Sequence, residues 1–246
     1  MTYEKTKEIW NRLSQKDRYN LLSNPLFKLD FVYNTCKIEN SKITHQDTEK
    51  VFDIKTKNSF DSYTKNMIEI YNSKQAYEKI LLAFDEKQKI DEAFVKKIHK
   101  TLTNGTYDEY RYQIGERPGE YKKHDFVAGK NEIGASAEDV REEITEILDE
   151  LTDIPDDKVL IAVAYFHAKF ENIHPFADGN GRTGRLLMNY ILLIHRHPPI
   201  IIFDGNKAEY YKALEEFDTG LKLNKIIDFL KRETVETWKK FFLNDS

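Results

Sequence analysis

The 246-residue sequence contains a single cysteine, Cys36, which excludes an internal disulfide framework and a four-cysteine zinc site. Long apolar runs are also absent. The longest, Val159–Ala164 and Ile191–Ile194, fall far short of the roughly 20 residues that a membrane-spanning helix needs. The first residues, Met1–Lys16, are charged and unlike a signal peptide. We therefore expect a soluble, cytoplasmic protein with no membrane partner.

An excess of positive charge is missing as well. Lys and Arg number 38 against 42 Asp and Glu, so the formal net charge is −4. A nucleic-acid-binding chain usually carries a basic footprint, and we expect no nucleic-acid partner here. Aromatic residues make up 13% of the chain, which argues against disorder.

Glycine and proline are scarce, with 10 and 6 residues, and most of the chain between them has apolar residues three and four positions apart. This period is typical of amphipathic helices, so the sequence predicts a mainly α fold. Asp91 and Ser136 each precede an acidic first turn and are expected to be helix N-caps. The clearest helical patterns are Glu78–Ala83, Ala93–Leu102, Val140–Leu151, Val159–Phe170, Arg185–Ile194, Lys207–Phe217 and Asn224–Phe242.

One segment does not follow the helical pattern. Tyr112–Gly134 is rich in glycine, tyrosine and charge, and Glu120–Val127 is compatible with an extended chain. A β-hairpin or an ordered loop is the expected form. Loops of this length inside a helical domain are uncommon and often functional, although a surface loop without a role fits the pattern equally well.

The densest group of chemistry-bearing residues is His174–Arg185, with the sequence HPFADGNGRTGR. Gly179 and Gly181 allow close backbone approach, and successive N–H groups at the start of the following helix would bind an anion. Arg182 and Arg185 are three positions apart, so both guanidinium groups project along one face of that helix. Two such groups beside a helix N-terminus suit a polyphosphate.

Three further residues extend this phosphate site. Asn180 tolerates an unusual φ and offers an amide donor, and Asp178 supplies a hard oxygen for Mg²⁺. His174 has a suitable pKa for a general base. Other phosphate-binding signatures are missing, namely GxxxxGK[ST], a strand-led GxGxxG and the kinase motifs. A zinc hydrolase using His167, His174 and Asp178 is a weaker alternative, since no HExxH is present.

His174–Arg185 resembles the signature of the Fic family, HPFx(D/E)GNGRxxR, with every defining position filled. The resemblance extends from Tyr112 to about Phe229. It implies a Fic-type helical domain with a short β-hairpin, called the flap, above the active site, and Gly119–Gly134 occupies the place of the flap. The activity it implies is that of a protein adenylyltransferase, which moves AMP from ATP to a Ser, Thr or Tyr hydroxyl of a protein, itself included.

A second motif, Thr35–Asn40 with the sequence TCKIEN, resembles the family's inhibitory motif, [S/T]xxxE[G/N]. Thr35 and Glu39 are four positions apart and would share one face of a helix. The alternative is an ordinary amphipathic helix. The expected division of the chain is residues 1–105 as an N-terminal helical region with the inhibitory helix at about 31–41, residues 106–230 as the Fic core with the flap at 119–134 and the motif at 174–185, and residues 231–246 as a C-terminal helix.

The resemblance also implies a role for each motif position. His174 would deprotonate the target hydroxyl, docked over it by the flap, and Asp178 would bind Mg²⁺ beside the ATP phosphates. Glu39, assisted by Thr35 and Asn40, would pair with Arg185 and displace the γ-phosphate. The residues expected to contact the nucleotide are Val127, Ala128, Gly129, Lys130, Asp178, Gly179, Asn180, Gly181, Arg182, Thr183, Gly184, Arg185, Tyr211 and Asp218.

Alternatives to AMP transfer remain open at this point. The chain could be a catalytically silent nucleotide-binding or helical interaction module, or a Fic enzyme that removes AMP. Transfer of a different phosphate-containing group is a further alternative, although the intact Gly179–Arg182 sequence argues against the phosphotransferase branch of the family. Relatives often form dimers, so a homodimer is a further expectation.

Overall fold

The computed structural model describes residues 1–53, 64–126 and 134–243, and the secondary structure of these residues is helical throughout. The mainly α fold expected from the sequence is thus confirmed. The helices are α1 (Tyr3–Arg12), α2 (Gln15–Leu22), α3 (Pro25–Glu39), α4 (His45–Asp53), α5 (Lys65–Glu86), α6 (Glu92–Thr103), α7 (Glu109–Gln113), α8 (Val140–Asp149), α9 (Val159–Ile173), α10 (Asn180–Ile194), α11 (Lys207–Gly220) and α12 (Asn224–Phe241), with a 3₁₀ turn at Asp204–Asn206.

Helix α10 is the centre of the fold. Every residue from Arg182 to Leu193 is buried, and the helix packs against α3, α5, α6 and α9. Apolar side chains cover three sides of it, so it is held rigidly by burial rather than by its own propensity. The phosphate-binding sequence identified above occupies its N-terminal end.

Side-chain caps fix several helix starts. Asp91 accepts a hydrogen bond from the N–H of Phe94 at 2.7 Å, as expected for the N-cap of α6. The expectation for Ser136 is wrong: the N-cap of α8 is Asp139. Ser136 lies one turn earlier, where its hydroxyl donates to the Asp139 carboxylate and its carbonyl accepts from the N–H of Val140.

The described residues contain no strand, so the expected β-hairpin is not seen in Gly119–Phe126. The physical reason is that backbone donors of this stretch bind the core instead of a neighbouring strand. The N–H of Lys122 donates to the carbonyl of Pro175 at 2.9 Å, and the N–H of Lys123 donates to the buried carboxylate of Glu116 at 2.9 Å. Residues 127–133 of the expected flap lie outside the described residues.

No helix within the three described ranges is long and apolar enough to cross a bilayer.

Candidate active site

The loop that joins α9 to α10 is shaped by two residues with positive φ. His174 ends α9 in the left-handed conformation, with φ 50° and ψ 61°, and Pro175 follows it. Gly179 precedes α10 with φ 82°, and a Cβ there would lie 2.6 Å from the Thr103 side chain. Only glycine adopts this positive φ without strain and also has no Cβ to clash with Thr103, so the tight entry into α10 depends on this residue.

Asn180 closes the loop on itself. Its side-chain oxygen accepts from the N–H of Phe176 at 2.9 Å, and its amide donates to the Phe176 carbonyl at 2.8 Å. One of the two amide protons is therefore used within the loop, which leaves the backbone N–H groups as the main anion donors. The N–H groups of Asn180, Gly181 and Arg182 come before the first helical hydrogen bond, from Thr183 to Gly179, and converge at this end.

The sequence reasoning missed His99, which supports the same loop from α6. Its ring stacks on Phe176 with centroids 3.6 Å apart. Nδ1 accepts from the N–H of Gly119, and Nε2 donates to the carbonyl of Asp178, each at 2.9 Å. Burial lowers the pKa of His99 to about 3, so the ring is neutral and joins the loop to the base of the expected flap. In the sequence His99 is one polar residue on an apolar helix face, and no pattern distinguishes it.

Two guanidinium groups lie beside the N-terminus of α10, and both are buried. Nε and Nη1 of Arg182 and Nη1 of Arg185 are shielded from solvent and donate to no acceptor in the described part of the chain. Buried donors without partners cost about 1–3 kcal/mol each. Arg182 has only a distant carboxylate, with 3.7 Å between its Nη2 and Oδ1 of Asp178. This end of α10 is therefore prepared for an anion.

Helix α3 contacts the N-terminal end of α10 through Arg185. The Nε of Arg185 donates to the Thr35 hydroxyl at 2.9 Å, and Nη2 donates to the Thr35 carbonyl at 2.8 Å. The same Nη2 lies 2.8 Å from Oε1 of Glu39. Burial would lower the pKa of Arg185, but the carboxylate of Glu39 raises it overall. The structure thus places Thr35 and Glu39 on one face of α3, both in contact with Arg185.

Gly181 permits this contact. A Cβ on Gly181 would lie 2.2 Å from Oε1 of Glu39 and 2.9 Å from Nη1 of Arg185. The carboxylate therefore rests on the glycine, in the space between α3 and the first turn of α10. Asn40 is turned away, with its side-chain amide donating to Asn66 and Glu69 of α5.

His174 is partly buried at the mouth of the loop, and its Nδ1 is buried without a partner in the described residues. Burial and the nearby Lys122 ammonium lower its pKa to about 4, against smaller opposing effects of Glu39 and Asp178. The imidazole is therefore neutral at pH 7 and able to accept a proton. The segments on either side are tied to the loop: Lys122 N–H donates to Pro175, and Ala135 N–H donates to the carbonyl of Ile173 at 3.0 Å.

A second layer of side chains, formed by His167, Glu171 and Tyr210, lies behind Arg185. Nε2 of His167 is 2.8 Å from the Tyr210 hydroxyl, and the Arg185 guanidinium carbon lies 5.9 Å from the centre of the Tyr210 ring. Burial lowers the pKa of His167 to about 3 and raises the pKa of Glu171 to about 8. A Cβ on Gly184 would come within 2.5 Å of Glu171 Oε1, so Gly184 leaves room for this second layer.

Of the remaining expected nucleotide contacts, Tyr211, Asp218 and Thr183 are among the described residues. Tyr211 is partly exposed on α11 beside the Lys207 ammonium, and Asp218 accepts from the Asn172 amide at 2.9 Å. Thr183 is buried, and its hydroxyl donates to the Gly179 carbonyl. Val127, Ala128, Gly129 and Lys130 lie outside the described residues.

Metal-binding groups are sparse. Within the described ranges, no group of three or more His, Cys, Asp or Glu side chains could hold a metal ion, so the zinc alternative through His167, His174 and Asp178 is wrong. The Asp178 carboxylate is partly exposed at the site, with a third of its side chain accessible, and it is the acidic group inside the His174–Arg185 motif. A single carboxylate fits Mg²⁺, which takes its other ligands from phosphate oxygens and water.

Comparison with known proteins supports this interpretation. A model of the Fic/DOC family matches residues 89–192. Protein adenylyltransferase Fic of Drosophila persimilis is 49% identical over 57 residues, which are 23% of this chain and 11% of that protein. Protein adenylyltransferase fic-1 of Caenorhabditis elegans is 40% identical over 91 residues, 35% of this chain and 17% of that protein. These matches span only about a tenth to a sixth of the curated relatives.

Solved structures extend the likeness to nearly the whole chain. A Fic domain containing signaling protein from Bacteroides thetaiotaomicron superposes with a TM-score of 0.76 at 23% identity, over 96% of this chain and 94% of that one. Residues 134–508 of Fic-1 from C. elegans superpose with a TM-score of 0.78 at 21% identity, over 97% and 69%. At these identities the likeness establishes the fold.

Proposed function

We propose that this chain, which matches the Fic/DOC family over residues 89–192, is a protein adenylyltransferase of that family inhibited by its own Glu39. It transfers AMP from ATP to the hydroxyl of a Ser, Thr or Tyr side chain of a protein. The observation that carries the proposal is the pair of buried guanidinium groups with unpartnered nitrogens, Arg182 and Arg185, at the N-terminus of α10. A triphosphate supplies the acceptors that these donors lack.

The nucleotide is bound through its phosphates. The α-phosphate lies against the N–H groups of Asn180, Gly181 and Arg182, where the helix dipole favours negative charge. Arg182 and Arg185 bind the β- and γ-phosphates. Asp178 is the residue that would hold Mg²⁺, which would neutralise phosphate charge when bound. Tyr211 and Asp218 flank the nucleoside.

His174 acts on the target. The oxygen of the target hydroxyl attacks the α-phosphorus, its proton passes to the neutral imidazole, and the bond to the β-phosphate oxygen breaks to release pyrophosphate. The lowered pKa of His174 supports this role, because the ring is in the basic form at neutral pH. The rigid loop supplies the positioning on which phosphoryl transfer mainly depends.

The target is presented by the flap, residues 119–134. Lys122, near the start of this segment, and Ala135, directly after it, donate backbone hydrogen bonds to Pro175 and Ile173, on either side of His174. A target chain added alongside the flap in an extended form would bring its hydroxyl over the imidazole.

Glu39 opposes catalysis from α3. Its carboxylate occupies Nη2 of Arg185, the group that the γ-phosphate needs, and it adds like-charge repulsion against the triphosphate. ATP would bind with its α-phosphate out of line with the target. Localisation in the cytoplasm and formation of a homodimer remain predictions made from the sequence.

The test uses ATP labelled at either the α- or the γ-phosphate, with Mg²⁺, and compares the parent with Glu39→Gly. We expect α-label to appear on protein, including the chain itself, much faster with Glu39→Gly. We expect no γ-label, because pyrophosphate leaves. The double variant Glu39→Gly/His174→Ala is the matched control. A folded Glu39→Gly variant that binds ATP and transfers neither label would support a silent binding module instead.

A further inference from the structure

A second cavity lies at the opposite end of α10 from the phosphate site, a helix length or about 20 Å away. It has a volume of about 710 Å³ and opens between the C-terminal ends of α1, α5, α8 and α10. This volume is within the range of sites for small organic ligands, about 300–1,000 Å³. Its floor is apolar and is formed by Phe84, Ile90, Leu148, Leu151 and Leu193.

The charge around this cavity is of one sign. Arg18, Lys87, Lys89 and Arg196 line it, and no Asp or Glu does. None of these four cations forms an ion pair with a residue in the described part of the chain, although acidic residues outnumber basic ones in the sequence. Four cations that form no ion pair with described residues, around one apolar floor, match an anionic ligand.

Arg18 is the most telling of the four because it is 4% exposed. Its Nε and Nη2 donate to the carbonyls of Trp10 and Asn11, at 3.1 and 3.2 Å, and its guanidinium lies over the Trp10 ring. These contacts cap the end of α1 and fix the group in place. Nη1 donates to no described acceptor. Burial and the charge of Arg196 lower the pKa of Arg18, so the two guanidinium groups repel each other.

We propose that this cavity binds an amphiphilic organic anion, with its carboxylate or phosphate head between Arg18 and Arg196 and its apolar part on the Phe84–Leu193 floor. The head group would supply the acceptor that Nη1 of Arg18 lacks and would remove the repulsion between the two cations. Helix capping explains Nε and Nη2 of Arg18, but it leaves Arg196, Lys87 and Lys89 without a role. The proposal is independent of AMP transfer.

The test is calorimetric titration of the full chain with four probes below their micellar concentrations: decanoate, decyl phosphate, decanol and inorganic phosphate. Decanol has the apolar part without the charge, and inorganic phosphate has the charge without the apolar part. We expect saturable one-to-one binding of decanoate or decyl phosphate, at least about tenfold tighter than either control, because both halves of the ligand are recognised. The better of the two anions identifies the head group. Equal binding of decanol would overturn the proposal.

Two variants locate the binding. Arg196→Gln removes an exposed charge and should weaken the anion by about tenfold, the value of one charge-assisted hydrogen bond. Thr152→Trp places a ring in the cavity from an exposed position and should abolish binding. The control Lys222→Gln removes an exposed cation that does not line the cavity and should bind as the parent does.

Thermal unfolding of each variant without ligand verifies that it is folded. Binding that survives both Arg196→Gln and Thr152→Trp would place the ligand elsewhere and refute the assignment. Failure of all four probes, with binding of an acidic amphipathic peptide instead, would make this face a protein-docking surface and would also refute it.

Discussion

Among single residues, Arg185 is the one at which substrate binding and inhibition compete in the proposed mechanism. Its Nη2 donates to the Thr35 carbonyl and lies against the Glu39 carboxylate, both at 2.8 Å. A γ-phosphate cannot take this nitrogen while Glu39 remains. The substitutions at positions 39 and 185 should therefore be strongly non-additive.

We expect Arg185→Ala to slow AMP transfer by about 10- to 100-fold in the Glu39→Gly background, which corresponds to the loss of about 1.5–3 kcal/mol of charge-assisted bonding. In the presence of Glu39 the same substitution should change the rate far less. The coupling is measured from the initial rates of α-label incorporation in four proteins: the parent, Glu39→Gly, Arg185→Ala and the double variant. Additive effects would mean that the two side chains do not meet in solution.

His174→Ala should lower the transfer rate of the Glu39→Gly variant by at least about 100-fold, the usual contribution of a general base. The affinity for ATP should change by less than about twofold, because the base acts on the incoming hydroxyl. Calorimetric titration with ATP separates the two effects. Transfer by the double variant at the rate of Glu39→Gly alone would remove His174 from the mechanism.

The pKa of His174 gives a prediction about pH. Because burial lowers it from about 6.5 to about 4, the ring stays neutral as the pH falls through the usual range of histidine. The kcat/KM of the Glu39→Gly variant for ATP should therefore be nearly constant between pH 7.5 and 5.0, with the midpoint of the acid limb near pH 4. A midpoint near 6.5 would indicate that His174 is solvated in the working enzyme.

Among the helices, α3 is the proposed inhibitory element, and Thr35 contributes to its contact with Arg185. Phe27, Phe31, Val32 and Ile38 of this helix are buried in the core, whereas the Glu39 side chain is 34% exposed at its end. Pulling the whole helix away would expose four large apolar side chains at about 1.5–3 kcal/mol each. Relief of inhibition is therefore expected to move the Glu39 side chain and not α3 as a body.

Thr35→Val tests this helix contact without touching Glu39. Valine keeps the shape of threonine but removes the oxygen that accepts from Nε of Arg185. We expect transfer to rise severalfold, less than with Glu39→Gly, and stability to fall by about 1–2 kcal/mol for the unpartnered donor. Thr35→Ser retains the hydroxyl and should match the parent in both the transfer assay and urea unfolding. Identical rates for the valine and serine variants would show that the hydroxyl has no part in inhibition.

Local signals made the helices and the motif predictable. Residue spacing places Arg182 and Arg185 on one face of a helix, and Gly179 and Gly181 mark its entry. The position of α3 against Arg185 came from resemblance to the family, since no local pattern joins residues 150 positions apart. His99 could not be found, because its function depends on stacking against Phe176, which only the tertiary fold brings near. The Ser136 cap failed because Asp139, three residues later, competes for the same helix start.

Over the whole molecule, one core joins the N-terminal helices to the helices that carry the site. Trp10 of α1 packs edge-on against Trp238 of α12 with ring centroids 6.3 Å apart. Phe94 of α6 packs on Tyr190 of α10 with centroids 4.8 Å apart. Helix α3 is therefore part of the same packed core as the loop between α9 and α10, and loss of the α1–α12 contact should weaken both.

His197 provides a test of this unit through pH. It lies between α10 and the 3₁₀ turn, it is 2% exposed, and its Nδ1 is hydrogen-bonded to the Tyr3 hydroxyl of α1. Burial, with smaller effects of Lys7 and His195, lowers its pKa to about 3. The unfolded chain, with a histidine pKa near 6.5, binds this proton more readily than the folded chain does. The stability due to neutral His197 is thus fully present above about pH 6.5 and is lost as the pH falls towards 3.

When the pH falls from 7.5 to 5.0, protonation of His197 in the unfolded chain should lower the free energy of unfolding of the parent by about 1–2 kcal/mol. His197→Gln cannot take up the proton, so its free energy of unfolding should fall by that much less over the same interval, whatever the other titrating groups contribute. Urea unfolding of both proteins at pH 7.5, 6.0 and 5.0 gives the difference. The glutamine variant loses part of the bond to Tyr3 and is expected to be less stable than the parent at pH 7.5, with the gap closing as the pH falls. A gap that stays constant would mean that His197 is solvated and that α1 does not seal this side of the core.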